Sequence, residues 1–315
     1  MARYGKILVG VDLHQGDRVA SSEPSPESQA AIDEALILAA HSGGSVTFCA
    51  ALNVSAQTAS LIAQDHQNLL KTVEDIATEM LDLVVARAKD KGVVCDRVVR
   101  LGTPDEQLAR QALEGRFDLL VVGTRPRSRA SRALFGSTSQ KLIRSAPCPV
   151  WVVKPDEVRE IREIAVAVDL SESGRPALAE AVEIARGLNA KLFVVHVVEL
   201  AELSTLLMAG VAASEIAAAR VKLIEEAQAG LREQLSATDY RTLPHGVMVE
   251  VIEGMPDESI PRFVTEHEID ILVIGTHGRS GLTRLLLGNT AERILPLVQC
   301  SIIAVKPHGF QSTYE

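Results

Sequence analysis

No stretch of this chain is apolar for long enough to cross a bilayer. Its beginning, Met1-Ala2-Arg3-Tyr4-Gly5-Lys6, leads straight into a strand-like segment without the apolar core or cleavage site of a signal peptide. A cytoplasmic protein with no membrane partner is therefore expected. Positive charge is also short, since 32 Lys and Arg stand against 41 Asp and Glu for a net charge of -9. That balance works against nonspecific attraction to nucleic acid, so no direct nucleic-acid partner is expected. The four cysteines have no paired metal-ligand spacing, and no metal site is read from them. Cys148 and Cys300 hold the same place in the two halves of the chain, each just before a final strand, and read as small buried residues; redox sensing by these thiols is the alternative. Gly-Lys-Ser and Gly-Lys-Thr are absent, which excludes a P-loop. No persuasive catalytic set assembles either, and no catalytic residue is assigned.

At 315 residues with 47% hydrophobic and 23% charged residues, the chain is long enough for two ordinary α/β cores. Its halves repeat each other. Lys6 to Leu13 returns as Glu163 to Leu170, each a short buried strand delivering an aspartate, Asp12 or Asp169, at its C-terminal end. Ligands of open α/β sheets bind outside those ends, so a carboxylate there suits a ribose hydroxyl; a helix cap or turn residue is the other reading. A polar loop from Gln15 to Ser28 precedes the helix Ala30 to His41, whereas the second half passes quickly through Ser171-Glu172-Ser173-Gly174 into Ala177 to Leu188. Ser42-Gly43-Gly44-Ser45 reads as a helix C-cap and turn. Second strands are expected at Val46 to Val54 and Lys191 to Val198, with His196 a hydrogen-bonded core residue. Long helices follow, the second carried by Ile216, Leu223, Ile224, Ala227 and Leu231 at helical spacing. The apolar Leu203 to Val211 ahead of it packs on its own domain or serves as a lid or partner face. Strands Arg97 to Leu101 and Val247 to Ile252 lead into Gly102-Thr103-Pro104-Asp105 and Gly254-Met255-Pro256-Asp257, a turn and helix start in each half. From Asp118 to Pro155 the first half aligns with Asp270 to Pro307 without a gap, sharing Thr124 and Thr276, Arg127 and Arg279, Gly136 and Gly288, and Thr138 and Thr290. Duplication is the economical explanation.

The chain is organised around Ile271-Leu272-Val273-Ile274-Gly275-Thr276-His277-Gly278-Arg279-Ser280-Gly281 and the Gly288-Asn289-Thr290-Ala291-Glu292 that follows. Four aliphatics ending in glycine read as a strand buried on both faces. Gly275 and Gly278 let amides approach a ligand, and Gly281 supplies a positive φ. Asn289 with Glu292 is a capping-box pattern, which predicts a helix from about Thr290 with free amides that attract phosphate. Asn289 and Thr290 add hydrogen bonds, and Arg279 adds positive charge.

This spacing, repeated on the same strand, loop and capped helix, resembles the ATP-binding signature of the universal stress protein family. The resemblance covers nearly the whole chain as two copies, and is nearest to the two-domain members of E type. It implies two tandem adenine-nucleotide α-hydrolase-like, Rossmann-like domains over 1–155 and 160–310. Each would be a five-stranded, mostly parallel sheet flanked by helices, and the last strands, Val150 to Lys154 and Ile302 to Lys306, would pair across the domains. A homodimer beyond that pairing stays open. Carried over to this sequence, the nucleotide contacts are Ala167, Asp169, Val197 through its main chain, Gly275, Gly278, Gly288, Asn289 and Thr290. Thr276, His277 and Arg279 complete the loop, with His277 in a ligand contact or loop hydrogen bond. The implied cofactor is ATP, which would bring its own Mg2+.

The first copy departs from the pattern. Pro126 stands in place of the second glycine and has no amide to donate, while Arg125, Arg127, Arg129 and Arg132 crowd the loop. Ser137 to Gln140 keeps a capping-box pattern. Pro296, opposite Arg144, predicts a shortened or bent helix after the second loop. A nucleotide-responsive stress protein with its working site in the second domain and unidentified protein partners is the leading expectation. A scaffold with vestigial sites and a slow ATPase are the alternatives.

Overall fold

A computed structural model of the protein describes residues 4–13, 23–53, 67–124, 136–155, 160–200, 209–276 and 287–314, with backbone alone over 67–72. The chain divides into two compact units, Met1–Arg159 with Phe310–Glu315, and Glu160–Gly309.

In the first unit the elements run β1 (Lys6–Val11), α1 (Pro26–Ser42), β2 (Ser45–Leu52), α2 (Gln67–Asp90), β3 (Val94–Leu101), α3 (Pro104–Gly115), β4 (Leu119–Gly123), α4 (Ser137–Ser145) and β5 (Val150–Val153). The strand order is β3-β2-β1-β4-β5, and every neighbouring pair is parallel. Parallel neighbours need a crossover between them, and the two faces of the sheet are covered accordingly. Hydrogen bonds from Arg87 to Gln29 and from Lys91, just past the end of α2, to Asp33 join α2 and its C-terminal turn to α1, and an ion pair between Lys141 and Asp105 joins α4 to α3. With helices on both sides, β1, β4 and β5 lose the polar alternation of a half-wet strand and bury all or nearly all of their residues. Each fully buried Val, Leu or Ile stabilises by about 1.5–3 kcal/mol. These central strands therefore outweigh the edge strand β3, where Val94 and Asp96 are exposed and the rest is half-covered.

Local chemistry sets the helix ends. Ser25 caps α1, its Oγ accepting from the amide of Ser28 at 3.2 Å, with Pro26 in the first helical position. The helix thus begins at Pro26, earlier than the Ala30 expected, because Ser-Pro inside the polar loop is itself a start signal. At the other end Gly43 adopts φ 68 as the expected C-cap. Gly44 donates to the Ala39 carbonyl at 3.1 Å and lies so close to the strand before it that a Cβ would land on the carbonyl oxygen of Tyr4. The tail returns to this unit. Ser312 Oγ donates to the Ser145 carbonyl at 2.7 Å, and the Arg110 guanidinium lies 5.6 Å from the Tyr314 ring centre. Burial, with Asp105 nearby, pushes the Tyr314 phenol up.

The second unit repeats the plan with β6 (Glu163–Ala167), a single 3-10 turn at Glu172–Gly174, α5 (Arg175–Gly187), β7 (Lys191–Val198), α6 (Ala213–Ser236), β8 (Val247–Glu253), α7 (Pro256–Glu266), β9 (Ile271–Gly275), α8 (Asn289–Ile294) and β10 (Ser301–Val305). Its order is β10-β9-β6-β7-β8, again parallel throughout. The second long helix expected is α6. Its apolar spacing begins at Ile216, but burial begins only at Ala227, Leu231, Gln234 and Leu235, and Leu223 and Val221 are exposed. Helical periodicity marks a face without saying how far along it the sheet extends. The Leu203 to Val211 segment lies mostly outside the described residues.

Trp151 is the single tryptophan and is fully buried in β5, so its fluorescence reports unfolding of the first unit. We expect Gly44→Ala to destabilise that transition by about 2–4 kcal/mol, because the new Cβ meets backbone. Gly43→Asn, in open space at a positive φ that asparagine tolerates, should cost below about 1 kcal/mol. Urea midpoints of the two variants check this, and equal shifts would refute the packing assigned to Gly44.

Candidate functional site

The second unit winds in two directions from β6: β7 and β8 follow on one side, β9 and β10 on the other. A crevice opens outside the C-terminal ends at such a switch point. Ala167 closes β6 and pairs with Ile274, next to the Gly275 that closes β9. Val197 stands on the adjacent β7, half-buried and paired with Ile252. Three of the candidate residues thus share one end of neighbouring strands, and two of them bring little or no side chain.

Asp169 lies just past β6, half-buried. Its Oδ1 accepts from the Ser171 amide at 3.0 Å and from Ser171 Oγ at 2.6 Å, so the carboxylate is held at the entrance to α5 in a tight turn. Leu170 sits between them at φ 60, a conformation that costs a branched residue about 1–3 kcal/mol and persists only where its surroundings enforce it. His196 is buried, as expected of a core histidine, with Nδ1 2.7 Å from the Val168 carbonyl. A carbonyl only accepts, so Nδ1 carries the proton.

Thr276 is almost completely buried. Its amide and hydroxyl both donate to the Val305 carbonyl, at 2.9 and 3.1 Å, and its own carbonyl accepts from the Gly288 amide at 2.7 Å. One residue therefore ties the end of β9 to β10 and to the start of α8. That start differs from the capping box expected. The Gly288 carbonyl accepts the first helical bond, from the Glu292 amide at 2.9 Å, which makes Gly288 the cap and Asn289 the first helical residue. Gly288 brings no side chain to the cap, and Asn289 and Thr290 are exposed in the first turn. The same correction applies to Ser137 and Gln140, since Gly136 caps α4 and its carbonyl accepts from Gln140 at 3.1 Å. In both places a glycine in extended conformation takes the cap position one residue ahead of the polar pattern.

As Pro296 leads one to expect, α8 stops at Ile294, while α4, with Arg144 at the matching place, runs on to Ser145. The short helix is anchored by Arg293, whose Nε lies 3.5 Å from Asp257 Oδ2, matching Lys141 and Asp105 at 3.2 Å in the first unit. His277, Gly278, Arg279 and Gly281, with Arg125, Pro126, Arg127, Arg129 and Arg132 of the first copy, lie outside the described residues.

The universal stress protein family model matches residues 3–154 and again 160–306. The chain belongs to the universal stress protein family. Among its relatives, universal stress protein E of Photorhabdus laumondii is 26% identical over 331 residues, covering 99% of this chain and 98% of that one. Universal stress protein E of Escherichia coli K12 is 26% identical over 330 residues, with 100% and 98% covered. Among solved structures, a putative universal stress protein from Pseudomonas aeruginosa UCBPP-PA14 superposes with a TM-score of 0.65 at 21% identity, covering 96% of this chain and 93% of that one. One from Archaeoglobus fulgidus gives 0.65 at 17% identity over 96% and 98%. These structures support the two-domain universal stress fold, a parallel sheet flanked by helices in each unit.

Two residues that hold Asp169 carry a signal in the sequence that its reading missed. Ser171 and Gly174 were read only as a quick turn, although serine followed three residues on by the first turn of a helix is an N-cap signal. Among the described residues no helix is long and apolar enough to cross a membrane, and no group of three or more His, Cys, Asp and Glu side chains converges on a metal position.

Cys49, Cys148 and Cys300 are buried, and burial pushes the Cys49 thiol up to about 12 against the small opposing pull of Arg100. Its contribution to stability is full below the ordinary value of 9.0 and is lost as pH rises from there towards about 12, because the unfolded chain ionises first. We expect native Cys49 to resist thiol reagents below pH 9.0, and the wild-type urea midpoint to fall more steeply above it than that of Cys49→Ala. Parallel midpoints for the two proteins would contradict the burial of this thiol.

Proposed function

We propose that the second unit binds ATP or a related adenine nucleotide in the crevice outside β6, β7 and β9, and that its occupancy is the input of a stress-response regulator. One juxtaposition carries the reading. The Asp169 carboxylate and the glycine-capped start of α8 follow the C-terminal ends of neighbouring strands, joined through Thr276 and the Ala167–Ile274 pair. A carboxylate accepts from ribose hydroxyls, and a helix start without a side-chain cap offers amides to phosphate. Ala167, Gly275 and Gly288 keep side chains out of the way. Val197 would meet the base through its main chain. Thr276 would act through the architecture, with its hydroxyl given to Val305. In the sequence, Gly278, His277 and Arg279 add an amide-rich, positively charged loop to this set, and Asn289 and Thr290 add side-chain donors. Mg2+ would come with the phosphates and neutralise part of their charge.

The first unit is the weaker binder in this reading. Pro126, where the second copy has Gly278, removes an amide and fixes φ. Nucleotide binding in one unit changes which protein partners the surface accepts, which is a regulator's task and needs no turnover.

Calorimetric titration of the intact chain with ATP and Mg2+ should give one site per chain. Gly288→Val, which places a branched side chain at the α8 cap, should weaken binding about tenfold or more, equivalent to ~1.4 kcal/mol. Mass spectrometry of small molecules released from freshly purified protein gives an independent readout, and phosphate release from the same sample separates a binder from a slow ATPase. Two equal sites would overturn the asymmetry. Absence of binding would overturn the nucleotide reading and leave the scaffold.

A further inference from the structure

The two units repeat each other, so a place where they solve the same local problem differently isolates what one of them does in addition. Ser25 and Ser171 are such a pair. They hold the same position ahead of α1 and α5, and each does the same capping work: Ser25 Oγ accepts from the Ser28 amide at 3.2 Å, and Ser171 Oγ accepts from the Gly174 amide at 3.1 Å. A hydroxyl has one proton to give besides. In the first unit it goes to Ser28 Oγ at 3.2 Å, and Ser28 Oγ in turn accepts from the Asp12 amide at 2.8 Å. In the second unit it goes to the Asp169 carboxylate, at the 2.6 Å typical of a charge-assisted bond. Ser173 Oγ, 2.8 Å from Ser171 Oγ, then stands as donor to it.

The residue three places on decides between these arrangements. Gly174 in the second unit corresponds to Ser28 in the first. A Cβ built on Gly174 would lie 2.5 Å from Asp169 Oδ1, so only glycine admits the carboxylate at this place. The first unit has a serine there, and its side chain binds the main chain of the aspartate instead. A second element steadies the turn from outside, since the buried Gln234 of α6 donates from Nε2 to the Ser171 carbonyl at 3.4 Å. Two bonds to Oδ1 hold the carboxylate in one orientation. The strained Leu170 backbone is held in the same turn.

We propose that Ser171 and Gly174 are positioning residues that set the Asp169 carboxylate for a vicinal diol, the 2′- and 3′-hydroxyls of the nucleotide's ribose, and that Ser28 denies Asp12 the same pose. This rests on the nucleotide reading of the second unit and deepens it. The chemistry selects a ribonucleoside, because a carboxylate can only accept and the diol supplies the donors. A deoxygenated sugar would leave a charged acceptor that has lost its partner. The inequality of the two units then has a second source besides Pro126. It lies at the sugar end of the site, in the exchange of one glycine for serine.

The test is calorimetric titration of the intact chain with ATP and with 2′,3′-dideoxy-ATP, both with Mg2+, for the wild type and for Ser171→Ala, Ser171→Thr and Gly174→Ser. Wild type should prefer ATP about tenfold or more, as expected for hydrogen bonds to a charged group. Ser171→Ala and Gly174→Ser should each bring that preference to within about threefold, while Ser171→Thr, which keeps the hydroxyl and the cap, should retain it. Thermal melts identify any variant that does not fold, and either loss variant alone decides the question against Ser171→Thr. A fall in affinity for both nucleotides with the preference intact would make the pair a plain helix cap and overturn the proposal. So would a preference untouched by either change. A wild type that binds ATP without preferring it overturns the positioning role alone. A wild type that binds neither overturns the nucleotide reading and this inference with it.

Discussion

Parallel strand pairing with both faces covered is the constraint on which the rest of each unit depends. A parallel neighbour cannot be reached by a tight turn, so every connection crosses the sheet through a helix, and every functional loop is sent to the C-terminal ends of the strands. The order β10-β9-β6-β7-β8 adds a reversal of winding at β6. Such a reversal is where open α/β sheets take their ligands. Ala167, Gly275 and Asp169 come to that place because of the topology, whatever their own preferences.

Hydrogen bonds fix the geometry at these strand ends. Thr276 spends its hydroxyl on Val305 and its carbonyl on Gly288, which fixes where α8 begins; Arg293 and Asp257 hold that helix from α7. Ser171 does the corresponding work beyond β6, capping the 3-10 turn that leads into α5 and holding Asp169 with one side chain. Each strand end thus rests on a small hydroxyl residue bonded to the protein.

The duplication supplies its own control. The two units share Gly136 and Gly288 as caps, Gly102 and Gly254 at positive φ before a proline-started helix, and an ion pair between equivalent helices. Those shared features belong to the fold. The differences are local: Pro126 against Gly278, Ser28 against Gly174, and the direction in which one serine proton points. Neither change reaches the core, because the buried centres of the strands lie below the ends where these loops begin.

Much of this was legible in the residues themselves. Uninterrupted aliphatic runs such as Ile271-Leu272-Val273-Ile274 announce strands buried on two faces, and Gly43 with Pro296 marks helix ends, because these effects act within a few residues of chain. The family and the doubled plan follow from the repeat of that pattern, and the matched family model covers both copies. The cap at Gly288 was not legible, since a glycine in extended backbone carries no side-chain signal and the polar pattern beside it points one residue too late. Nor was the exposed half of α6, because periodicity along a helix is blind to where its sheet ends. The hold of Ser171 on Asp169 needed the tertiary structure most of all. Serine, aspartate and glycine in a turn allow several hydrogen-bond arrangements of similar energy, and the packing of α5 and α6 against the end of β6 selects one.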